Sequence, residues 1–206
     1  MNCIDQVVTD RYTAIHGDCV EALSGLPDAC IGYSIFSPPF ASLYTYSNSP
    51  RDMGNVRDDA EFFAHFDFLI AQLRRVMKPG RNISFHCMDM PSSKERDGVI
   101  GLKDFPGNLL RAFERHGFIF HSRVTIWKDP VTAMQRTKAL GLLHKSVREN
   151  SAMCRQGIAD YLITVRSPGE CERVTHGSEY PVDLWQKVAS PVWMDINPSD
   201  TLQYMS

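Results

Sequence analysis

The 206-residue sequence has no two glycines two positions apart, no Cys-x-x-C, no long apolar run and no excess of positive charge. Its thirteen glycines therefore form no G-x-G turn, and none follows Gly177. The six cysteines, Cys3, Cys19, Cys30, Cys87, Cys154 and Cys171, are scattered without zinc spacing. They read as reduced thiols of a cytoplasmic protein rather than a disulfide framework or a metal centre. No apolar stretch approaches the roughly 20 residues needed to cross a bilayer. Met1-Asn2-Cys3-Ile4-Asp5 has neither the basic flank nor the apolar core of a leader, so the expectation is a soluble, intracellular chain without a membrane partner. A net charge of −2 excludes a uniformly basic surface, and any nucleic-acid contact must come from a local patch.

What is present alternates between strand and helix signals. With 43% hydrophobic and 22% charged residues, the chain can bury a sizeable core. Tyr12 to Ile15 reads as a short strand, Asp18 as the cap of a helix through Leu23, and Ile31 to Phe36 as a strand apolar enough to be buried on both faces. Phe62, Phe63, Phe66, Leu69, Ile70, Leu73 and Val76 recur at helical spacing from about Asp59 to Met77, and Lys78-Pro79-Gly80 stops that helix. Asn82 to Cys87 is the next strand, Gly107 to Arg115 a helix, Phe118 to Trp127 a long strand and Asp160 to Val165 another. This order predicts an α/β fold, a mainly parallel sheet with helices on both faces. Trp185 and Trp193 are expected to pack.

Ser37-Pro38-Pro39-Phe40 directly follows the apolar strand. Each proline fixes its own φ and drives its predecessor toward extended backbone, so carbonyls here are rigid and free of sheet partners. A hydroxyl, rigid carbonyls and an aromatic face suit a clamp for a flat, amine-bearing ring, although Pro-Pro also simply ends strands. The polar and aromatic stretch from Ala41 to Asp58 is longer than an ordinary connection. In such a sheet ligands gather beyond the carboxyl ends of the strands, where Asp18, Ser37 and Asp89 are each expected. Asp18 is a helix cap, a ligand contact or both; Asp89 is a turn residue or a substrate contact. His86, inside an apolar strand, reads as a satisfied core histidine.

The ordered set of His16-Gly17-Asp18-Cys19-Val20-Glu21-Ala22-Leu23, Leu26-Pro27-Asp28, Ser37-Pro38-Pro39-Phe40 and Leu73-Arg74-Arg75-Val76-Met77-Lys78-Pro79-Gly80, followed by Ile83-Ser84-Phe85, resembles an amino-group DNA methyltransferase. It covers about the first 130 residues and matches the opening of the circularly permuted beta class, whose members act on N4 of cytosine or N6 of adenine, many in restriction-modification systems of bacteria and phages. The resemblance implies a Rossmann-like fold, S-adenosylmethionine as cofactor, DNA as partner, and a target base flipped out of the duplex. Ser37 Oγ and the Pro38 carbonyl would accept N–H bonds from the target amine and draw its lone pair out of the ring, with Phe40 stacked on the base and no strong base required. By the same resemblance Ser37 would also border the cofactor, and Asp18 would lie near its adenosyl part. A leading Ser in place of Asp leans toward N4-cytosine.

The same resemblance implies a later glycine motif for the cofactor, which this sequence does not contain. The chain is therefore expected to be the N-terminal part of such an enzyme, inactive alone, with an incomplete sheet whose open edge favours self-association. Residues 1–127 would be the catalytic domain, 128–158 a basic insert for target recognition, and 159–206 the remainder. Trp127-Lys128-Asp129-Pro130 resembles the family's strand ending beside the target base. From Trp127 to Gly157, Lys128, Arg136, Lys138, Lys145, Arg148 and Arg155 stand against Asp129 and Glu149, six minus two or +4, the best candidate for phosphate contact. Two other readings stay open: a catalytically incomplete DNA-binding remnant, and a methyltransferase acting on RNA or on a protein amide nitrogen.

Overall fold

A computed structural model describes residues 3–40, 45, 47–92, 94–131, 148–149, 157–172 and 180–196. Strands β1 (Cys3–Val8) and β2 (Thr13–Gly17) pair antiparallel in a hairpin of their own. The hairpin turn is held by Thr9, whose hydroxyl accepts from the Tyr12 amide at 3.0 Å. Helix α1 (Cys19–Ser24) follows at once because Asp18 Oδ1 accepts from the Val20 and Glu21 amides at 2.8 and 3.3 Å, the geometry of a side-chain N-cap. The expected strand at Tyr12 to Ile15 and the cap at Asp18 are both observed. The pairing differs from a parallel β-α-β opening, since among the described residues β2 pairs only with β1.

The principal sheet has five strands in the order β3-β4-β8-β7-β9. These are Ser34–Phe36, Asn82–Met88, Asp160–Arg166, Ile119–Ile126 and Val192–Trp193 respectively. Strands β3 and β4 are parallel with Phe36 beside Phe85, and β7 and β9 are parallel with Ile126 beside Trp193. Ser167 bonds backbone to backbone with Gly80 and Arg81, while Ser84 Oγ lies 2.8 Å from Thr164 Oγ1. Residue numbers thus fall on one strand as they rise on the other, so β8 runs antiparallel to β4 and the sheet is mixed. The remaining elements are α2 (Asp59–Val76), β5 (Met90–Ser92), α3 (Lys94–Asp97), β6 (Gly101–Lys103), α4 (Phe105–Arg115) and α5 (Val182–Val188), with β5 and β6 forming a second short hairpin.

Two expectations are corrected here. Ile31 to Phe36 is not a strand buried on both faces: only Ser34–Phe36 is extended, it is the first strand of the sheet, and Ile35 is 63% exposed. Ile31 instead forms an isolated bridge to Met77. The Ile31 carbonyl then accepts from the Lys78 amide at 2.9 Å, so that part of the apolar run is spent on the end of α2 rather than on the sheet. Trp185 likewise does not pack, being 55% exposed.

The chain divides into two compact units, each discontinuous in sequence. The first comprises Met1–Phe85, Asn108–His121 and Thr164–Glu172. Its core is aromatic: Phe113 stacks on Phe85 at 4.9 Å and meets Phe66 and Phe118 edge-on, and Phe62 stacks on Phe66. The helical periodicity of α2 is what delivers Phe62, Phe66, Leu69, Ile70, Leu73 and Val76 to this core. Asp58 caps α2 through the Glu61 amide. After the helix, Gly80 (φ 70°) and Gly169 (φ 103°) let two turns touch: a side chain on Gly80 would strike Cys171, and one on Gly169 would strike Pro79. The second unit comprises His86–Gly107, Ser122–Ile163 and Arg173–Ser206, and buries Cys87, Met90, Phe105, Ile158 and Ile163.

Candidate functional site

In the first unit, Ser37-Pro38-Pro39-Phe40 begins where β3 stops. Ser37 is exposed, Pro38 is buried, and Pro39 and Phe40 are half-buried. Pro38 is thus anchored in the fold while Ser37 stands exposed at the strand's carboxyl end. The next described stretch is braced around Asp52. Its Oδ2 accepts from the Ser47 amide at 2.5 Å, its Oδ1 from the Gly54 amide at 2.8 Å, and Asn55 Nδ2 donates to the Ser47 carbonyl at 2.7 Å. This network carries Arg51 to α1, where its guanidinium pairs with Glu21 and stands 3.6 Å from Asp18 Oδ2. Its bond to Glu21 raises the Arg51 pKa further above its ordinary value.

Asp18 is therefore both a cap and an ion-pair partner, its two oxygens divided between α1 and Arg51. Beside it opens a cavity of about 440 Å³ walled by Asp18, Cys19, Glu21, Pro50, Arg51, Met53, His65 and Phe68. Arg75 supports this region from α2: its guanidinium donates to the Leu23 and Leu26 carbonyls at 2.8 and 2.7 Å and pairs with Asp28. The Leu26-Pro27-Asp28 and Leu73 to Gly80 segments are thus joined by one side chain. Nothing in either segment's sequence announces that link, and Arg51, an arginine inside a polar loop, gives no periodic signal.

The second unit holds Asp89, Trp127, Lys128 and Arg148. Asp89 lies between β4 and β5, half-buried, and burial pushes its carboxyl above the ordinary value, aided by Asp104 and opposed by Arg123. Arg123 also sits 5.5 Å from the centre of the Tyr161 ring. Burial drives the Cys87 thiol up to about 12, so it is an inert core thiol. Trp127 is 46% exposed and its amide donates to the Trp193 carbonyl. Lys128 Nζ lies 2.6 Å from Asp160 Oδ1, and His86 Nε2 lies 2.9 Å from Asp160 Oδ2. Burial alone would raise the Asp160 carboxyl, but its hydrogen bonds to His86 and Lys128 outweigh that and hold it below the usual range. His86 is accordingly a partly exposed hydrogen-bond partner of Asp160 rather than a core histidine. Lys128, expected to face phosphate, is spent on an internal carboxylate. Arg148 is exposed, whereas Arg136, Lys138 and Lys145 lie outside the described residues. Among the described residues no cluster of His, Cys, Asp and Glu could hold a metal ion, and no helix is long and apolar enough to cross a membrane.

The strand arrangement is that of a Rossmann-like α/β fold. Among solved structures it matches TTHA0409 of Thermus thermophilus, assigned as a DNA modification methylase and solved with S-adenosyl-L-methionine. That match has a TM-score of 0.64 at 20% identity and covers 87% of this chain and 65% of that one. It also matches the cytosine-N4-specific PvuII DNA methyltransferase, with a TM-score of 0.57 at 15% identity over 91% of this chain and 58% of that one. The chain thus spans just under two thirds of the Thermus protein's length. No protein-family model matches the chain, and no curated protein does.

Proposed function

We propose that this chain carries the amine-clamping part of an S-adenosylmethionine-dependent DNA methyltransferase, with N4 of cytosine as the favoured target. The observation that carries the reading is Ser37-Pro38-Pro39-Phe40, placed at the carboxyl end of β3 with Pro38 buried and Ser37 open to solvent. The fold match to a cytosine-N4-specific enzyme and to a methylase solved with the cofactor supports it.

The residues present fit part of the cofactor. The cavity beside Asp18 combines a carboxylate with the faces of His65, Met53 and Phe68, a wall suited to a flat, amine-bearing ring system. Asp18 and Ser37 are the residues that would hold it. When bound, it supplies an electrophilic methyl group. The chain's own contribution is orientation: Ser37 Oγ and the Pro38 carbonyl accept the amine's hydrogens and turn its lone pair outward, and Phe40 stacks on the base. Asp89, Trp127, Arg136, Lys138, Lys145 and Arg148 are proposed to contact DNA. The absence of any G-x-G turn favours a second reading, a DNA-binding chain that transfers no methyl group by itself.

The test, made on the chain extended through a cofactor glycine motif, combines DNA binding with methyl transfer from labelled cofactor and identification of the labelled nucleoside. Label in N4-methylcytosine, lost in Ser37→Ala, is the expected result. Phe40→Ala should weaken binding to DNA with a mispaired target base by about 1–3 kcal/mol. Label in adenine overturns the cytosine preference, and label in RNA or protein overturns the DNA reading. DNA binding that depends on Phe40 without transfer of label identifies the second reading.

A further inference from the structure

The cavity beside Asp18 has three walls of unequal firmness. Helix α1 and its cap give Asp18 and Glu21, helix α2 gives His65 and Phe68, and the loop 47–55 gives Arg51 and Met53. His65 and Phe68 are three residues apart and so share one face of α2. Phe68 is left 67% exposed there, while the core-facing rings of Phe62 and Phe66 are fully buried. The loop wall is braced within itself. Ser47 Oγ donates to Asp52 Oδ2 at 3.1 Å, Asn55 Nδ2 donates to the Ser47 and Ser49 carbonyls at 2.7 and 3.1 Å, and the Asn55 amide donates to the Asp52 carbonyl at 2.9 Å. One end of this braced loop is seated by buried Gly54 and Val56. Toward the other end it reaches α1 through a guanidinium: Arg51 Nη1 pairs with Glu21 Oε1 and stands 3.6 Å from Asp18 Oδ2.

We propose that Arg51 is a positioning residue, a latch that holds the loop 47–55 against α1 as the third wall of the cavity, with Glu21 as its working partner. The inference rests on the reading of this cavity as the place of the cofactor's adenosyl part. Asp18 Oδ1 is spent on the α1 cap, whereas its Oδ2, 3.6 Å from Arg51, is beyond full hydrogen-bond distance. That oxygen keeps the capacity to accept from an exocyclic amine. The Arg51 side chain is 66% exposed, and ion pairs of this kind are weak and screened by salt. A weak latch suits a wall that must part for a ligand to enter. The rival role for Arg51 is direct contact with the ligand, and the two roles make opposite predictions for Glu21. If Arg51 donates to the ligand, Glu21 competes for the guanidinium and its removal strengthens binding. If Arg51 latches the wall, loss of Glu21 weakens binding as loss of Arg51 does, because the loop must then be ordered at the moment of binding.

The experiment titrates the full chain with adenosine, which has the flat ring and its amine but no charge, and follows the ligand's magnetic resonance lines at a temperature where circular dichroism shows each protein folded. Arg51→Met and Glu21→Met are each expected to weaken binding by about threefold. Their double variant should be no weaker than the weaker single one, and Arg51→Lys, which keeps the ion pair, should retain most of the wild-type affinity. Because adenosine is uncharged, a fall in wild-type affinity with added salt reads the latch and not the ligand. That fall should vanish in Arg51→Met. A folded Glu21→Met that binds as tightly as wild type, or more tightly, while Arg51→Met binds weakly makes Arg51 a ligand contact and overturns the latch. Equal binding by wild type and Arg51→Met overturns it too, and both results leave the reading of the cavity standing. Wild-type protein that binds no adenosine overturns the latch and the cavity reading together.

Discussion

Two aspartates of the second unit show how local surroundings set opposite signs for one residue type. The Asp89 carboxyl is raised by burial and by Asp104, so its charged form is less favoured in the folded state than in the unfolded chain. Its charge opposes folding at neutral pH, and that cost shrinks as pH falls through its folded value. Asp160 is the reverse: despite burial, His86 and Lys128 hold its carboxyl down. It therefore contributes stability above the unfolded value, near pH 4, which is lost as pH falls through the depressed folded value. Asp89→Asn should consequently raise the thermal midpoint at pH 7 and Asp160→Asn should lower it. Both differences should narrow toward pH 3, as melting curves across that range would read. An Asp89→Asn protein that melts lower than wild type at pH 7 would contradict the reading of Asp89 as a charge that Arg123 only partly offsets.

At the scale of elements, α2 and α4 meet through aromatic rings in the core, with Arg115 and Asp67 paired at 3.5 Å outside it. Phe113 is fully buried, stacked on Phe85 and edge-on to Phe66 and Phe118, so Phe113→Ala removes one ring from three contacts. A loss of roughly 3–5 kcal/mol is expected, read as a lower denaturant midpoint with an unchanged slope. A loss under about 1 kcal/mol would mean that the core closes around the gap. The aromatic periodicity of α2 was legible because a helix writes its buried face at a fixed spacing, and the cap at Asp18 because it is a local bond. The bounds of β4, β7 and β8 followed from apolar runs ended by glycine or polar residues. The β1–β2 hairpin was half missed because every residue of β2 and most of β1 are exposed, leaving no alternation to read. The apolar run from Ile31 to Phe36 misled for the opposite reason. Pairing partners are chosen in three dimensions, and Ile31 is claimed by Met77 while Ile35 faces outward. In the candidate site, Ser37 to Phe40 and Asp18 were legible as residues. The His86–Asp160–Lys128 cluster joins positions 74 and 32 residues apart, and no sequence spacing announces it.

At the scale of the whole molecule, the edge of the principal sheet at β3 is the feature expected to govern self-association. Among the described residues, strand β3 has β4 on one side only, and Tyr33 and Ile35 stand exposed along it. Ile4, Val7 and Val8 of the first hairpin are exposed as well. A net charge of −2 offers little repulsion between copies, whereas an uncovered strand offers unpaired N–H and C=O groups to any extended segment. Self-association through β3 is therefore expected to rise with concentration and to persist at high salt, which would dissolve a contact made by charges alone. Ile35→Lys places a charge on that edge at an exposed position, so it costs the fold little and obstructs strand pairing. Sedimentation or light scattering should show a concentration-dependent increase in mass for the wild-type chain and a smaller one for Ile35→Lys, with matching far-ultraviolet spectra. Association of equal strength in the two proteins would move the contact away from β3, and the hairpin would then be the next surface to charge, at Val8.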